Sequence, residues 1–110
     1  MIIGNFQSAD DGFAGQIRTL LIDVMVAIVP AHPSDAENAP AWRVLLVEAD
    51  SGIEIGAGWE RRGERAGSYI ALQIDDPALG APIRANLLRS TQNDDEYHLL
   101  WSRPAPRDKA

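Results

Sequence analysis

The sequence predicts an all-β or mainly β domain of about eight short antiparallel strands, in a meander-like sheet that curls into a small barrel or sandwich. Three observations predict this fold. Apolar and polar residues alternate with a period of two, the alternating runs are short, and turn-forming residues separate them. The 110 residues suffice for one core. We therefore expect a single domain over residues 1–103 and a flexible tail over residues 104–110.

The first half of the chain predicts four strands. Two are expected near residues 2–8 and 13–19, joined by a tight turn at Asp10-Asp11-Gly12. Residues 19–29 read as one long strand rather than a helix, because they are rich in β-branched residues and end at Pro30. A loop with three prolines follows, and then a strand near residues 42–47. The faces expected to be buried in the last two strands carry Leu20, Ile22, Val24, Val26 and Ile28, and Trp42, Val44 and Leu46.

The second half predicts four more strands. Turns are expected at Asp50-Ser51-Gly52, at residues 63–67 and at Asn93-Asp94-Asp95. Residues 82–90 fit a strand better than the helix that Pro82 could begin. The faces expected to be buried carry Ile53, Ile55, Ala57 and Trp59; Ile70, Leu72 and Ile74; Ile83, Ala85 and Leu87; and Tyr97, Leu99 and Trp101.

Composition limits the function classes. The chain has no cysteine, which excludes disulfides, thiolate nucleophiles and cysteine metal ligands and favours a cytoplasmic location. Its net charge of −6 disfavours non-specific binding to nucleic acid. We expect no membrane association, because the longest apolar run, residues 20–29, is too short to cross a bilayer.

No pattern of catalytic, metal-binding or cofactor-binding residues is recognisable, and we expect a protein that is not an enzyme. Asp75 and Asp76 are adjacent, so on a strand they would point to opposite faces. Gly56 and Gly58 lie inside a predicted strand and lack the strand-to-helix turn of a dinucleotide site. The weak enzymatic alternative is His98 with Asp94, Asp95 or Glu96, which no known motif supports.

A basic cluster is the candidate binding surface. Arg61, Arg62 and Arg65 lie at a predicted hairpin between strands that carry Trp59 and Tyr69. Arginines beside aromatic rings on a sheet are typical of single-stranded nucleic-acid binding. The competing interpretation is a solvated hairpin tip with Trp59 in the core, because Glu60 and Glu64 are interleaved with the arginines and lower the local positive charge.

A set of sequence segments, taken in their order along the chain, resembles a bacterial family, domain of unknown function 736. They are Ile3-Gly4-Asn5-Phe6, Asp11-Gly12-Phe13-Ala14-Gly15-Gln16-Ile17-Arg18-Thr19-Leu20, Glu54-Ile55-Gly56-Ala57-Gly58-Trp59, the Tyr69 strand, Asp75-Asp76-Pro77, Pro82-Ile83-Arg84-Ala85-Asn86-Leu87 and Leu100-Trp101-Ser102-Arg103. The resemblance implies a small bacterial protein, often encoded on plasmids and integrative elements, and brings no activity or site residue. Family members often have lysines after the tryptophan, where this chain has Glu60-Arg61-Arg62, which weakens the basic-patch interpretation.

The expected function is therefore a non-enzymatic binding module linked to mobile genetic elements. We expect it to act by contact with a protein partner or by self-association, through a sheet edge or through the half-apolar outer faces around Leu45, Val47 and Leu100. One alternative is single-stranded nucleic-acid binding through the arginine hairpin. Another is an acidic decoy that inhibits a host defence protein, which would need the carboxylates clustered on one face.

Overall fold

Eight antiparallel strands close into a barrel in a computed structural model, which describes residues 1–9, 11–32, 36–47, 53–64, 67–91 and 95–103. Each strand pairs with the next along the chain, and the last pairs with the first. The strands are β1 Ile2–Ala9, β2 Gly12–Arg18, β3 Asp23–Pro30, β4 Trp42–Leu46, β5 Glu54–Gly63, β6 Gly67–Ile74, β7 Ile83–Arg89 and β8 Glu96–Leu100. The all-β prediction is confirmed, and of the two predicted forms the chain adopts the barrel.

The core fills the inside of the barrel. Inward-pointing side chains of the eight strands fill it, and the fully buried ones include Phe6, Ile28 and Leu99. The predicted faces of β3, β4, β6, β7 and β8 are the inward ones, since their apolar residues belong to the core or pack against it. Residues 83–89 form β7, so the prediction of a strand there is confirmed.

The predicted inner face of β5 is correct only at Ile55. Ile53, predicted to be buried, is 48% exposed. Val44 pairs with Gly56, but Leu45 pairs with Glu54, so Ile55 is an extra residue on β5. Such a bulge reverses the alternation of the residues that follow it. Ile55 is buried as predicted, whereas Trp59 and Ala57 lie on the outer wall and Gly56 and Gly58 point inward.

Residues 19–22 are a second correction. They form the turn between β2 and β3 and are not part of a long strand, because the backbone N–H of Thr19 donates to the carbonyl of Ile22 at 2.8 Å. Leu20, predicted to be buried, is 95% exposed, and its neighbour Leu21 is 91% exposed. Of the β-branched residues that favoured a strand here, Val24, Val26, Ile28 and Val29 lie in β3, whereas Thr19 and Ile22 lie in the turn.

Closure of the barrel corrects the expectation of association through a sheet edge. Because β1 pairs with β8, no strand among the described residues has a free edge. The predicted turn at Asp50-Ser51-Gly52 and the predicted tail 104–110 lie outside the described residues. In the described part of the chain, no helix could span a membrane.

The two ends of the barrel differ in chemistry. We call one end the mouth; β1 meets β2 there, and β3–β4, β5–β6 and β7–β8 are joined there. The opposite end holds the β2–β3, β4–β5 and β6–β7 connections and the start of β1. The predicted arginine hairpin joins β5 to β6, so it belongs to the mouth.

Candidate functional site

A cavity of about 750 Å³ occupies the mouth. Pairing shows which side chains enter it. Ile70 is buried in the core and lies opposite Glu60 and Leu87, so side chains two positions along these strands also point inward. They are Arg62, Ser68 and Arg89. Ile70 and Leu87 form the floor.

One wall of the mouth is aromatic. The rings of Phe13 and Tyr97 meet edge to face with centroids 4.8 Å apart, and Phe13 lies 5.5 Å from Trp42 at a tilt of 52°. These residues come from β2, β8 and β4, and each packs against the core with part of its surface still accessible. The buried indole Nε1 of Trp42 has no hydrogen-bond partner among the described residues.

The opposite wall is cationic. Arg61, Arg62 and Arg89 line it with a single carboxylate, Glu60. Tyr97 holds Arg89 in place: its hydroxyl lies 3.3 Å from a guanidinium nitrogen, and its ring centroid lies 5.8 Å from Cζ. The described residues that line the cavity thus carry an excess of positive charge, although Glu64 and Asp95 lie at the same end of the barrel and the whole chain carries a net charge of −6.

The structure divides the predicted binding surface between two places. Arg61, Arg62 and Tyr69 border the mouth, and Arg65 lies outside the described residues. Trp59 lies on the outer wall, where its Nε1 donates to the backbone carbonyl of Asn38 at 2.9 Å. The competing interpretation of a buried Trp59 is also wrong, because this side chain is half-buried and stands outside the core cluster.

Trp59 lines a separate groove of about 440 Å³ on the outer wall of β5, β6 and β7. Arg61 and Arg84 border it, with the side-chain amides of Gln73 and Asn86. None of the described carboxylates lines this groove, whereas Glu54 and Asp75 line an adjoining pocket with Trp59 and Gln73. Trp42, Arg84 and Arg89 were missed by the sequence prediction, because only the pairing of β4 with β5 and of β7 with β6 and β8 brings them to these sites.

The apolar end is a second candidate surface, opposite the mouth. Among the described residues, every large apolar side chain that is about half or more exposed lies at this end. They are Met1, Ile2, Leu20, Leu21, Met25, Val47 and Ile53, and we call them the apolar end. Of the three residues predicted as contact residues, Val47 belongs to this end, whereas Leu45 and Leu100 are half-buried. A cavity of about 170 Å³ lies inside the same end, lined by Ile22, Leu79 and other aliphatic side chains, with Asp76 as the exception.

For the enzymatic alternative based on His98, the structure shows one contact with a carboxylate. His98 points to the outer wall as expected, and its Nε2 lies 3.2 Å from Oε2 of Glu96. Asp94 is outside the described residues, and no third group completes a nucleophile–base arrangement in the contacts of this pair. The described residues contain no group of three or more histidine, aspartate or glutamate side chains that could hold a metal ion.

Comparison with known proteins agrees with the family resemblance drawn from the sequence segments. No curated protein and no solved structure matches the chain. One family does, over residues 2–104, with the description "Protein of unknown function (DUF736)". The match includes all eight strands and therefore the mouth and the apolar end. This barrel of eight strands belongs to the family of proteins of unknown function DUF736.

Proposed function

We propose that the chain is a non-enzymatic binding module that acts by protein–protein contact through the apolar end. The observation that carries the proposal is that the exposed large apolar side chains of the described residues gather at one end of the barrel. Contiguous exposed apolar surface on a small domain marks interaction sites. The link to mobile genetic elements remains part of this proposal and rests on the family resemblance.

The occupant we propose is a second copy of the chain. A contact across a two-fold axis needs a surface that is complementary to itself. Leu20 and Leu21 project from the β2–β3 turn, and beside them Arg18 and Asp23 face each other at the base of the hairpin. Each copy would bring both leucines, one positive charge and one negative charge to such an axis. The leucines of the two copies could then pack against each other, and the arginine of one copy could pair with the aspartate of the other. Burial of the leucines would remove their surfaces from water.

The test is the molar mass in solution across a range of concentrations. We expect light scattering after size exclusion to approach twice the monomer mass as concentration rises. Replacing both leucines, Leu20→Ser with Leu21→Ser, should weaken association at least about 100-fold, since burying one leucine contributes about 1.5–3 kcal/mol. Leu88→Ser, a change on the outer wall of β7, is the control. A strict monomer at several hundred micromolar would contradict the proposal, as would equal weakening by both variants.

A second candidate, single-stranded nucleic-acid binding, is favoured by the outer groove. Trp59, Arg61 and Arg84 offer a ring and two cations in a groove that none of the described carboxylates lines. Bases stack on aromatic side chains while arginines contact phosphates. Unlike the predicted hairpin surface, this groove does not include Arg62, which points into the mouth.

For this candidate, fluorescence polarisation of a labelled oligothymidylate is measured at two salt concentrations. Binding through the groove should weaken as salt rises, and Arg84→Gln should reduce the slope of log K against log salt concentration by about one. Arg103→Gln, at an exposed arginine that does not line the groove, should leave that slope unchanged. Absence of binding at low salt would exclude this function.

The acidic-decoy alternative gains no support from the arrangement of charges. It needs carboxylates clustered on one face. Among the described residues, exposed carboxylates occur at both ends: Glu64 and Asp95 at the mouth, and Asp23 and Asp75 at the apolar end. An acidic surface that imitates nucleic acid would instead present a continuous row of negative charge.

A further inference from the structure

We propose that the mouth of the barrel is a binding site for a small organic anion with a planar aromatic body. This site is separate from the apolar end, so it does not depend on the proposed self-association. The mouth of a β-barrel is a common location for small-molecule sites, which usually measure about 300–1,000 Å³. The cavity of about 750 Å³ lies within that range.

The aromatic wall selects the body of the ligand. Phe13, Trp42 and Tyr97 form a continuous set of ring contacts, and each ring retains accessible surface. Flat rings stack against such a wall with offset or edge-to-face geometry. The floor of Ile70 and Leu87 ends the cavity, so a bound molecule enters from one side and its size is limited.

The cationic wall selects the charge. The described residues that line the cavity include three arginines and one glutamate, and this excess of positive charge favours a carboxylate, sulfonate or phosphate group. Arg62 and Arg89 point inward from strands β5 and β7, which lie on either side of β6 and its Ser68. A single anionic group between these strands can accept hydrogen bonds from both arginines and from the serine hydroxyl.

The Trp42 side chain lines the mouth, while its Nε1 is buried away from the cavity and has no hydrogen-bond partner among the described residues. A molecule bound in the mouth would therefore contact the accessible part of the ring and not this nitrogen. The ring is nevertheless part of the aromatic wall, so its indole N–H signal is expected to respond to an aromatic ligand bound against that wall.

The probe is 1-naphthoate, with neutral 1-naphthamide as its matched comparison. The chain has three tryptophans, and their indole N–H signals in a ¹H–¹⁵N spectrum can be assigned with Trp→Phe variants. We expect 1-naphthoate to shift the Trp42 signal and to leave those of Trp59 and Trp101 nearly unchanged, because these two lie outside the mouth. We expect the anion to bind about tenfold or more tightly than the amide, the ratio that one charge-assisted hydrogen bond supports.

Arginine variants test where the anionic group of the ligand binds. Arg62→Gln and, separately, Arg89→Gln should weaken binding of 1-naphthoate about tenfold and change binding of 1-naphthamide little. Arg103→Gln, at an exposed arginine that follows β8 and does not line the mouth, is the matched control. Arg62 is exposed, so Arg62→Gln should keep the unfolding midpoint of the parent chain. A Trp42 signal that does not move at millimolar 1-naphthoate, equal affinity for anion and amide, or equal weakening by Arg103→Gln would each overturn the proposal. None of these results bears on the molar mass that tests self-association.

Discussion

Phe6→Ala should lower the free energy of unfolding by about 3–5 kcal/mol, the usual cost of truncating a fully buried phenylalanine. The side chain is 1% exposed inside the barrel. Its ring also covers two glycines on neighbouring positions, since a Cβ added at Gly15 would lie 2.7 Å from Cδ2 and one at Gly4 would lie 3.0 Å from Cε1. Neither glycine has a side chain that could move into the space, so we expect a loss near the upper end of the range.

The measurement is equilibrium unfolding in urea, followed by tryptophan fluorescence and circular dichroism. A domain of this size has about 5–15 kcal/mol of total stability, and at the lower end of that range Phe6→Ala leaves too little to measure. Phe6→Leu, which keeps part of the volume, should show a smaller loss in the same direction. Leu20→Ala is the control, because that side chain is 95% exposed and should change stability by less than about 0.5 kcal/mol. A loss below about 1 kcal/mol for Phe6→Ala would contradict this packing.

The same interior shows how far the sequence predicts the fold. Period-two alternation predicts strands well because each strand of a closed barrel has one buried and one outer face. It fails at β5, where the extra residue Ile55 reverses the alternation. A bulge depends on the pairing with β4, which the local pattern does not contain. Trp59 was therefore assigned to the wrong face although its strand was correct.

Of the residues at the candidate site, the sequence predicted only those that are close to one another along the chain. Arg61, Arg62 and Tyr69 are close in sequence because one hairpin carries them, and the basic cluster identified them. Arg89 and Trp42 reach the same cavity from distant strands, through pairings that only the closed barrel defines. No local signal distinguishes them: Arg89 is a charge at the end of a strand, and Trp42 reads as core.

The apolar end was missed for a related reason. Leu20 and Leu21 continue the apolar run of β3, and a period-two pattern extends naturally through them. The turn at residues 19–22 is fixed by the pairing of Arg18 with Asp23 and by the side-chain oxygen of Thr19, which accepts from the N–H of Ile22 at 3.2 Å. Apolar residues thus occupy a turn, where Leu20 and Leu21 are left in solvent. That conflict between local preference and position is itself a reason to expect a partner there.

Gly15→Ala should cost at least about 3 kcal/mol, the upper part of the usual range for overpacking, because the added methyl meets backbone. A Cβ at this position would lie 2.1 Å from the carbonyl oxygen of Asn5 and 2.7 Å from Cα of Phe6. Relief requires β1 and β2 to separate, which would disturb the pairing of Gly15 with Phe6. Gly80→Ala is the matched control, because nothing lies within 4 Å of its added Cβ and its φ is not positive. This change should be neutral or stabilise the fold by up to about 1 kcal/mol, because alanine lowers the conformational entropy of the unfolded chain. Urea unfolding of both variants measures the difference, and similar midpoints for the two would show that the strands do not approach each other this closely at Gly15.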